Sequence, residues 1–550
     1  MSTGIRIARQ FVYVGERQVH YRVAGAGAPV VLLHQSPRSS AELEPLMRVL
    51  APHFLVIAPD TPGFGLSGPV APSSHEPTID AFADALVSML DALGLERVGL
   101  YGTHTGAIVA VRLASRYPSR IAALVANGIL LNTADERSEK ADRYLPPFVP
   151  QWDGSHLAWM WSRLRDQLAF YPWYRHDPGH RIDWQQSLEE IDAGALDLME
   201  SGDDYRGAYG AVLNYGIDQD LPGLEMPTLL LVAKTDALVR FVDSYPPLPA
   251  HVEVSIVPGF GDIPAATLDY LRRHAAPPAT LRRAADGGAV AVRTSSFVEL
   301  PQGRLHLRRA AGTGGRPLVV LPEIGGSVMG LDGVLGGLAG RRPLLAFDLP
   351  GCGDSERCGA TSSAGIVDRL GAALDALGVG EVDVLGVGSA APIALALHRA
   401  RGLPASPPVL IDPLLAPADA EPRAFARALV PDLTPDSAGS HLLRGWAYLR
   451  DRALYFPWHD RSSAAQLPLG RVPRPVDRQR ELLDLLKARA AHAALLEATL
   501  PEATTATLAA ARAIVLATPG ASIRRSGIES STLPDERFQW GAVVLRALRG

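Results

Sequence analysis

The sequence predicts an α/β protein made by tandem duplication, each copy a mostly parallel, doubly wound sheet interrupted by a helical insertion. Three observations predict it. The chain has 550 residues, enough for two domains of about 250 residues with full cores. Short continuous apolar runs alternate with amphipathic helical stretches, the pattern of strands buried on both faces and wrapped by helices. The series of motifs in the first half then begins again in the second.

Residues 11–22 alternate as a strand pair, and Pro29–Leu33 is a first buried strand, followed by His34-Gln35-Ser36-Pro37. Residues 54–58 form the next, ending in Asp60-Thr61-Pro62-Gly63-Phe64-Gly65-Leu66-Ser67. An amphipathic helix over Ile79–Leu93 stops at Gly94, since glycine is the usual residue just past a helix end. Residues 98–101 form a strand that runs into Gly102-Thr103-His104-Thr105-Gly106 and a further helix. Residues 121–125 are a strand, and after a long insertion residues 227–232 lead into Lys234-Thr235-Asp236, with a last strand at Val252–Val257. Residues 275–290, rich in Ala, Pro, Gly and Arg, read as a linker.

After the linker, Leu318–Leu321 repeats the first buried strand, residues 348–355 the Asp-rich loop, and residues 384–390 the strand and Gly-rich turn. Within the insertions, Gly154-Ser155-His156-Leu157 recurs as Gly439-Ser440-His441-Leu442 and Pro172-Trp173 as Pro457-Trp458, at a constant offset of 285 residues. The expected domains are 1–275 with an insertion at about 133–225, a linker at 276–290, and 291–550 with an insertion at about 415–508.

On these residues the chain resembles the α/β-hydrolase superfamily, twice over. His34 to Pro37 is similar to its His-Gly-x-Pro loop, Asp60 to Ser67 to its Asp-x-x-Gly-x-Gly-x-Ser loop, and Gly102 to Gly106 to its Gly-x-nucleophile-x-Gly elbow. The resemblance makes each insertion a lid and the elbow a tight strand-to-helix turn that presents one side chain beside a helix N-terminus. That side chain is His104, where the family carries Ser, Cys or Asp. Asp236 occupies the family's acid position, and Asp262 stands where its histidine base belongs.

Imidazole is the usual general base near neutral pH, and a carboxylate on its other nitrogen fixes the tautomer. The reading is therefore serine-independent acid-base chemistry in the first copy, with Asp236 or Asp262 orienting His104. His34, Gln35, Ser36 and Thr105 are expected around an oxyanion pocket, with the Ser36 and Thr105 amides as donors. The substrate expected is a small, partly apolar ester, thioester, lactone or activated ketone. Arg38 and Arg240 are candidates to hold a substrate carboxylate, and His156 and Trp159 of the aromatic insertion are further candidate pocket residues. Two other readings stay open: a metal site of His34, His104, Asp236 and Asp262, and a non-catalytic binding or scaffolding protein. In the second copy Gly388 stands at the nucleophile position with Ser389 one place later, Thr518-Pro519-Gly520 offers no acid, Phe538 to Gly541 offers no histidine, and Glu323 is matched to His34. That copy is expected to be non-catalytic.

The formal charge of −5 is dispersed, with no basic stripe for nucleic acid and no polybasic membrane patch. No signal-peptide core follows the N-terminus, so a cytoplasmic location is expected. Cys352 and Cys358 are too few for a disulfide framework or a structural zinc site. No cofactor is expected; the expected partner is a small-molecule substrate, and a homo-oligomer is left open.

Overall fold

The computed structural model describes residues 4–70, 77–182, 187–282, 294–359, 361–403, 406–468, 473–518, 528–534 and 536–548. Residues 283–290 of the linker, and Pro519 and Gly520, lie outside the described residues. The chain divides into two compact units, Met1–Val149 with Trp159–Gly288, and Pro150–Ala158 with Ala289–Gly550.

In the first unit, β1 (Ala8–Val14), β2 (Arg17–Ala24), β3 (Pro29–Leu33), β4 (Leu55–Pro59), β5 (Val98–Thr103), β6 (Ile121–Asn127), β7 (Thr228–Ala233) and β8 (Val252–Val257) form one sheet in the order β1-β2-β4-β3-β5-β6-β7-β8. The β1–β2 and β2–β4 pairs are antiparallel, and the pairs from β4 onward are parallel. Every residue of β3, β4, β6 and β7 is buried, which is why these strands read as unbroken apolar runs.

Helices α1 (Glu44–Leu50), α2 (Ile79–Leu93), α3 (Thr105–Arg116), α4 (Ala134–Arg143), α5 (Ser155–Ala169), α6 (Leu188–Ser201), α7 (Tyr205–Leu213) and α8 (Ile263–Arg273) follow in this half of the chain, α5 from Trp159 onward belonging to the first unit. Leu46, Met47 and Leu50 of α1 and Tyr270 and Leu271 of α8 share one core with Val30, Leu32, Val56 and Leu229 of the sheet. α2 and α3 pack against each other; Thr78 caps the start of α2 and Gly94, at φ 73°, ends it in the left-handed conformation. The insertion predicted between β6 and β7 contains α4 to α7.

The second unit repeats the plan. β9 (Thr294–Leu300), β10 (Gly303–Ala310), β11 (Leu318–Leu321), β12 (Leu344–Phe347), β13 (Asp383–Val387), β14 (Val409–Ile411), β15 (Ile514–Ala517) and β16 (Ser531–Thr532) follow the same order, β9-β10-β12-β11-β13-β14-β15-β16. The register corrects one correspondence. Leu33 pairs with Gly102 and Leu321 with Gly386, so Pro322 stands in the place of His34 and Glu323 in that of Gln35.

The Asp-x-x-Gly-x-Gly-x-Ser loop acquires a structural reason in both units. Asp60 accepts hydrogen bonds from His20 Nδ1 (2.8 Å), Ser40 N (2.9 Å) and Leu66 N (2.8 Å). Asp348 does the same with His306 Nδ1 (2.8 Å), Val328 N (2.7 Å) and Asp354 N (2.9 Å). A Cβ at Gly65 or Gly353 would overlap these carboxylates. A buried carboxylate needs such donors, so this acid knits the loops together. Among the described residues no helix is long and apolar enough to cross a membrane.

Candidate active site

The elbow between β5 and α3 is as tight as the sequence requires. His104 has φ 48° and ψ −112°, a region that a non-glycine residue enters only when its surroundings hold it there. A Cβ at Gly102 would collide with the Gly106 carbonyl, and one at Gly106 with the carbonyls of Leu33 and His34. Two glycines therefore let the turn close, and the imidazole meets residues of the loops that follow β3 and β7, Gln35 and Asp236.

Both ring nitrogens of His104 are engaged. Nε2 lies 2.8 Å from Asp236 Oδ2 and Nδ1 lies 2.7 Å from Gln35 Oε1. The amide orientation of Gln35 is fixed from behind: its Nε2 donates to Glu42 Oε2 (3.1 Å) and its backbone N–H to Glu42 Oε1 (2.7 Å). A carboxylate accepts only from the NH2 side of the amide, so the oxygen faces His104 and Nδ1 is the donor. Nε2 likewise donates to Asp236. Burial works against a charge on His104, but the nearby Asp236 and Glu42 carboxylates outweigh it and raise its pKa. Burial also works against ionised Asp236, and the His104 charge, its hydrogen bond and the Leu238 N–H outweigh it and lower its pKa. Asp236 Oδ1 accepts from Leu238 N at 2.9 Å. The unit thus holds a chain Glu42–Gln35–His104–Asp236 with a doubly hydrogen-bonded imidazole ring at its centre. A base with a free nitrogen, as expected from the sequence, is not the resting arrangement.

The other expected residues separate. Asp262 is exposed and its Oδ2 accepts from Gly259 N at 3.0 Å, holding the turn before α8. It is a partner of neither His104 nitrogen, so Asp236 alone is the carboxylate on the ring. His34 is buried and structural: Nδ1 donates to the Gln35 carbonyl (2.9 Å) and Nε2 accepts from Thr61 N (2.9 Å). The Ser36 amide does not face open space; it donates to Thr105 Oγ1 at 2.6 Å, whose own hydroxyl donates to Ser36 Oγ at 3.2 Å. Among the described residues the one set of three grouped metal-ligand side chains is His306, Asp348 and Asp354, so His34, His104, Asp236 and Asp262 do not gather.

Arg38 is committed to Asp197 (2.9 Å), whereas exposed Arg240 stacks over Tyr171 and Phe241, 4.8 and 5.2 Å from the ring centres. His156 belongs to the 150–158 segment grouped with the second unit. Its Nδ1 accepts from Gln151 N (3.0 Å), its ring lies 4.8 Å from that of Trp446, and burial pushes its pKa down to about 4, so it is a packing residue. Trp159 packs against Phe148, ring centres 6.1 Å apart. Beside Gln35, an open cavity of about 1220 Å³ is lined by Arg38, Glu42, Phe170, Thr235 and Phe260. Two residues of this region were missed from the sequence. Glu42 looks there like an ordinary first-turn acid. Lys140 carried a signal in its rarity, for lysine occurs only at 140, 234 and 487.

In the second unit the elbow survives without its side chain. Gly388 has φ 54°, and Ser389 Oγ accepts from Ile324 N at 2.9 Å, the counterpart of the Thr105–Ser36 bond. Glu323 is held by Arg452 through two hydrogen bonds of 3.0 and 3.2 Å, an ion pair that lines a cavity of about 330 Å³ at this elbow.

Residues 28–259 match the family model described as alpha/beta hydrolase fold, and residues 318–536 that described as Alpha/beta hydrolase family. Both halves of the chain belong to the α/β-hydrolase fold. The relatives of this α/β-hydrolase pair include an uncharacterized hydrolase of Saccharomyces cerevisiae, 37% identical over 188 residues (33% of this chain, 60% of that one). A 2-hydroxy-6-oxo-2,4-heptadienoate hydrolase of Pseudomonas putida is 34% identical over 167 residues (29% of this chain, 59% of that one). The chain therefore spans about 60% of the length of these curated relatives. Among solved structures, epoxide hydrolase A from Mycobacterium thermoresistibile aligns over 50% of this chain and 100% of its own, at 18% identity and a TM-score of 0.40.

Proposed function

We propose that the first unit is a hydrolase in which His104 acts as a fixed imidazolium, donating a proton rather than attacking. The observation that carries this reading is the pair of acceptors on the two ring nitrogens, Gln35 Oε1 and Asp236 Oδ2. A substrate oxygen that displaces Gln35 Oε1 meets the Nδ1–H of a cation whose charge Asp236 stabilises. Proton transfer from Nδ1 to the carbonyl or leaving-group oxygen lowers the barrier to attack by water. The proton that the attacking water loses then returns to Nδ1, so no covalent intermediate forms and the ring ends as it began. The substrate class is a small, partly apolar ester, thioester, lactone or activated ketone.

A second reading, a non-catalytic binding protein, is favoured by a different observation: the Ser36 and Gln35 amides are already satisfied by Thr105 and Glu42. One experiment separates the two. Hydrolysis of short-chain aryl esters, thioesters and lactones is measured for wild type and His104→Ala, with the 15N shifts of the His104 ring recorded at neutral pH. The enzyme reading expects both nitrogens protonated and a loss of about a hundredfold or more in kcat/KM. Equal turnover in the variant overturns it, and binding without turnover across the whole panel establishes the binding protein.

A further inference from the structure

We propose that Lys140 and Arg240 form an anion site on Tyr171 that receives a small carboxylate. Lys140 is 3% exposed, yet its partners are neutral: its Nζ donates to Asn132 Oδ1 (2.5 Å) and to the Tyr171 hydroxyl (3.3 Å). It lies 5.0 Å from the centre of the Tyr171 ring, and the Arg240 guanidinium lies 4.8 Å from the same centre. Two cations thus share one aromatic ring. Among the described residues neither makes an ion pair with a carboxylate, and the nearest acids are otherwise engaged. Glu136 accepts from Thr133 N at 2.8 Å, and Glu139 is held by Arg175.

A buried ammonium with no carboxylate bonded to it is unfavourable, and here burial pushes its pKa down to about 8; the Glu136 and Glu139 carboxylates oppose the fall from a distance, and the charges of Arg240 and Arg175 add to it. The donors left over match an oxyanion. Lys140 has three N–H groups, of which two are engaged, and Arg240 offers a planar fork that no protein acceptor fills among the described residues. Exposed Arg240 is the outer member and buried Lys140 the inner one. The site adjoins the His104–Asp236 pair, since Arg240 lies on the short helix Ala237–Ser244 that Asp236 caps. It therefore places the charged end of a ligand beside the reacting end. The inference names the ligand charge for the unit read above as an enzyme; measured by binding and labelling rather than turnover, it stands or falls separately from the role of His104.

The test is calorimetric titration of the full chain with butyrate and, in parallel, with inorganic phosphate, in wild type, Lys140→Met and Arg240→Gln. Loss of a charge-assisted hydrogen bond weakens butyrate binding by about ten- to a hundredfold in each variant. Because there are three lysines, labelling with an amine-specific reagent and mass spectrometry gives an independent readout. Butyrate is expected to slow labelling of Lys140 and to leave exposed Lys234 unchanged. No butyrate binding, binding of phosphate alone, or a butyrate affinity unchanged in the surface variant Arg240→Gln overturns the proposal.

Discussion

His104 is held by two acceptors in a backbone conformation that costs energy, so its contribution should be visible as a pH dependence of stability. Its folded pKa lies above its ordinary 6.5, so the stability it adds is fully present below that value and is lost as pH rises through the elevated one. Asp236 is depressed below its ordinary 3.8, so its contribution is present above that value and is lost as pH falls through the lower one. The pair therefore stabilises fully between these limits. The gap in urea stability between wild type and His104→Gln should be wider near about pH 6 than near about pH 9, by about 1.4 kcal/mol for each unit by which the ring is elevated. An equal gap at both would mean that folding does not raise the pKa of the ring.

At the scale of the element, the strand-turn-helix that carries His104 depends on atoms that are not there. Gly102 and Gly106 lie so close to neighbouring backbone that a methyl group meets carbonyls, which cannot swing away as side chains do. Gly102→Ala should destabilise the first unit by about 2 kcal/mol or more, read as a lowered urea midpoint. Gly388→Ala is expected to cost about 1–2 kcal/mol from its positive φ, because its Cβ would meet only the Glu323 side chain, at 3.2 Å. If Gly102→Ala proved the milder of the two, the close approach of backbones at the first elbow would not be what closes the turn.

Across the whole molecule the duplication has kept the scaffold and let the two sites diverge. Both units keep the strand order, the buried His–Asp pair and the hydroxyl placed just after the elbow. What differs is the side chain at the elbow and its neighbour, His104 with Gln35 against Gly388 with Glu323. On this reading Glu323→Gln leaves kcat/KM for a hydrolysed ester unchanged while His104→Ala removes it, both assayed in the full chain. A comparable loss in the two variants would assign part of the chemistry to the second unit.

The sequence by itself determined the duplication and the fold, because strands buried on both faces must be apolar throughout and tight turns must have glycine. It also placed His104 and Asp236, which sit at fixed distances from those strands. Tertiary structure alone decided which atoms they meet. Glu42, seven residues beyond Gln35, fixes an amide that fixes a ring; the Thr105 hydroxyl takes the Ser36 amide; and Asp262 turns outward to hold its own loop. Hydrogen bonds between loops leave no periodicity in a chain, because each needs only one suitable atom within reach. Polar partners of the site were therefore invisible until the loops were folded together.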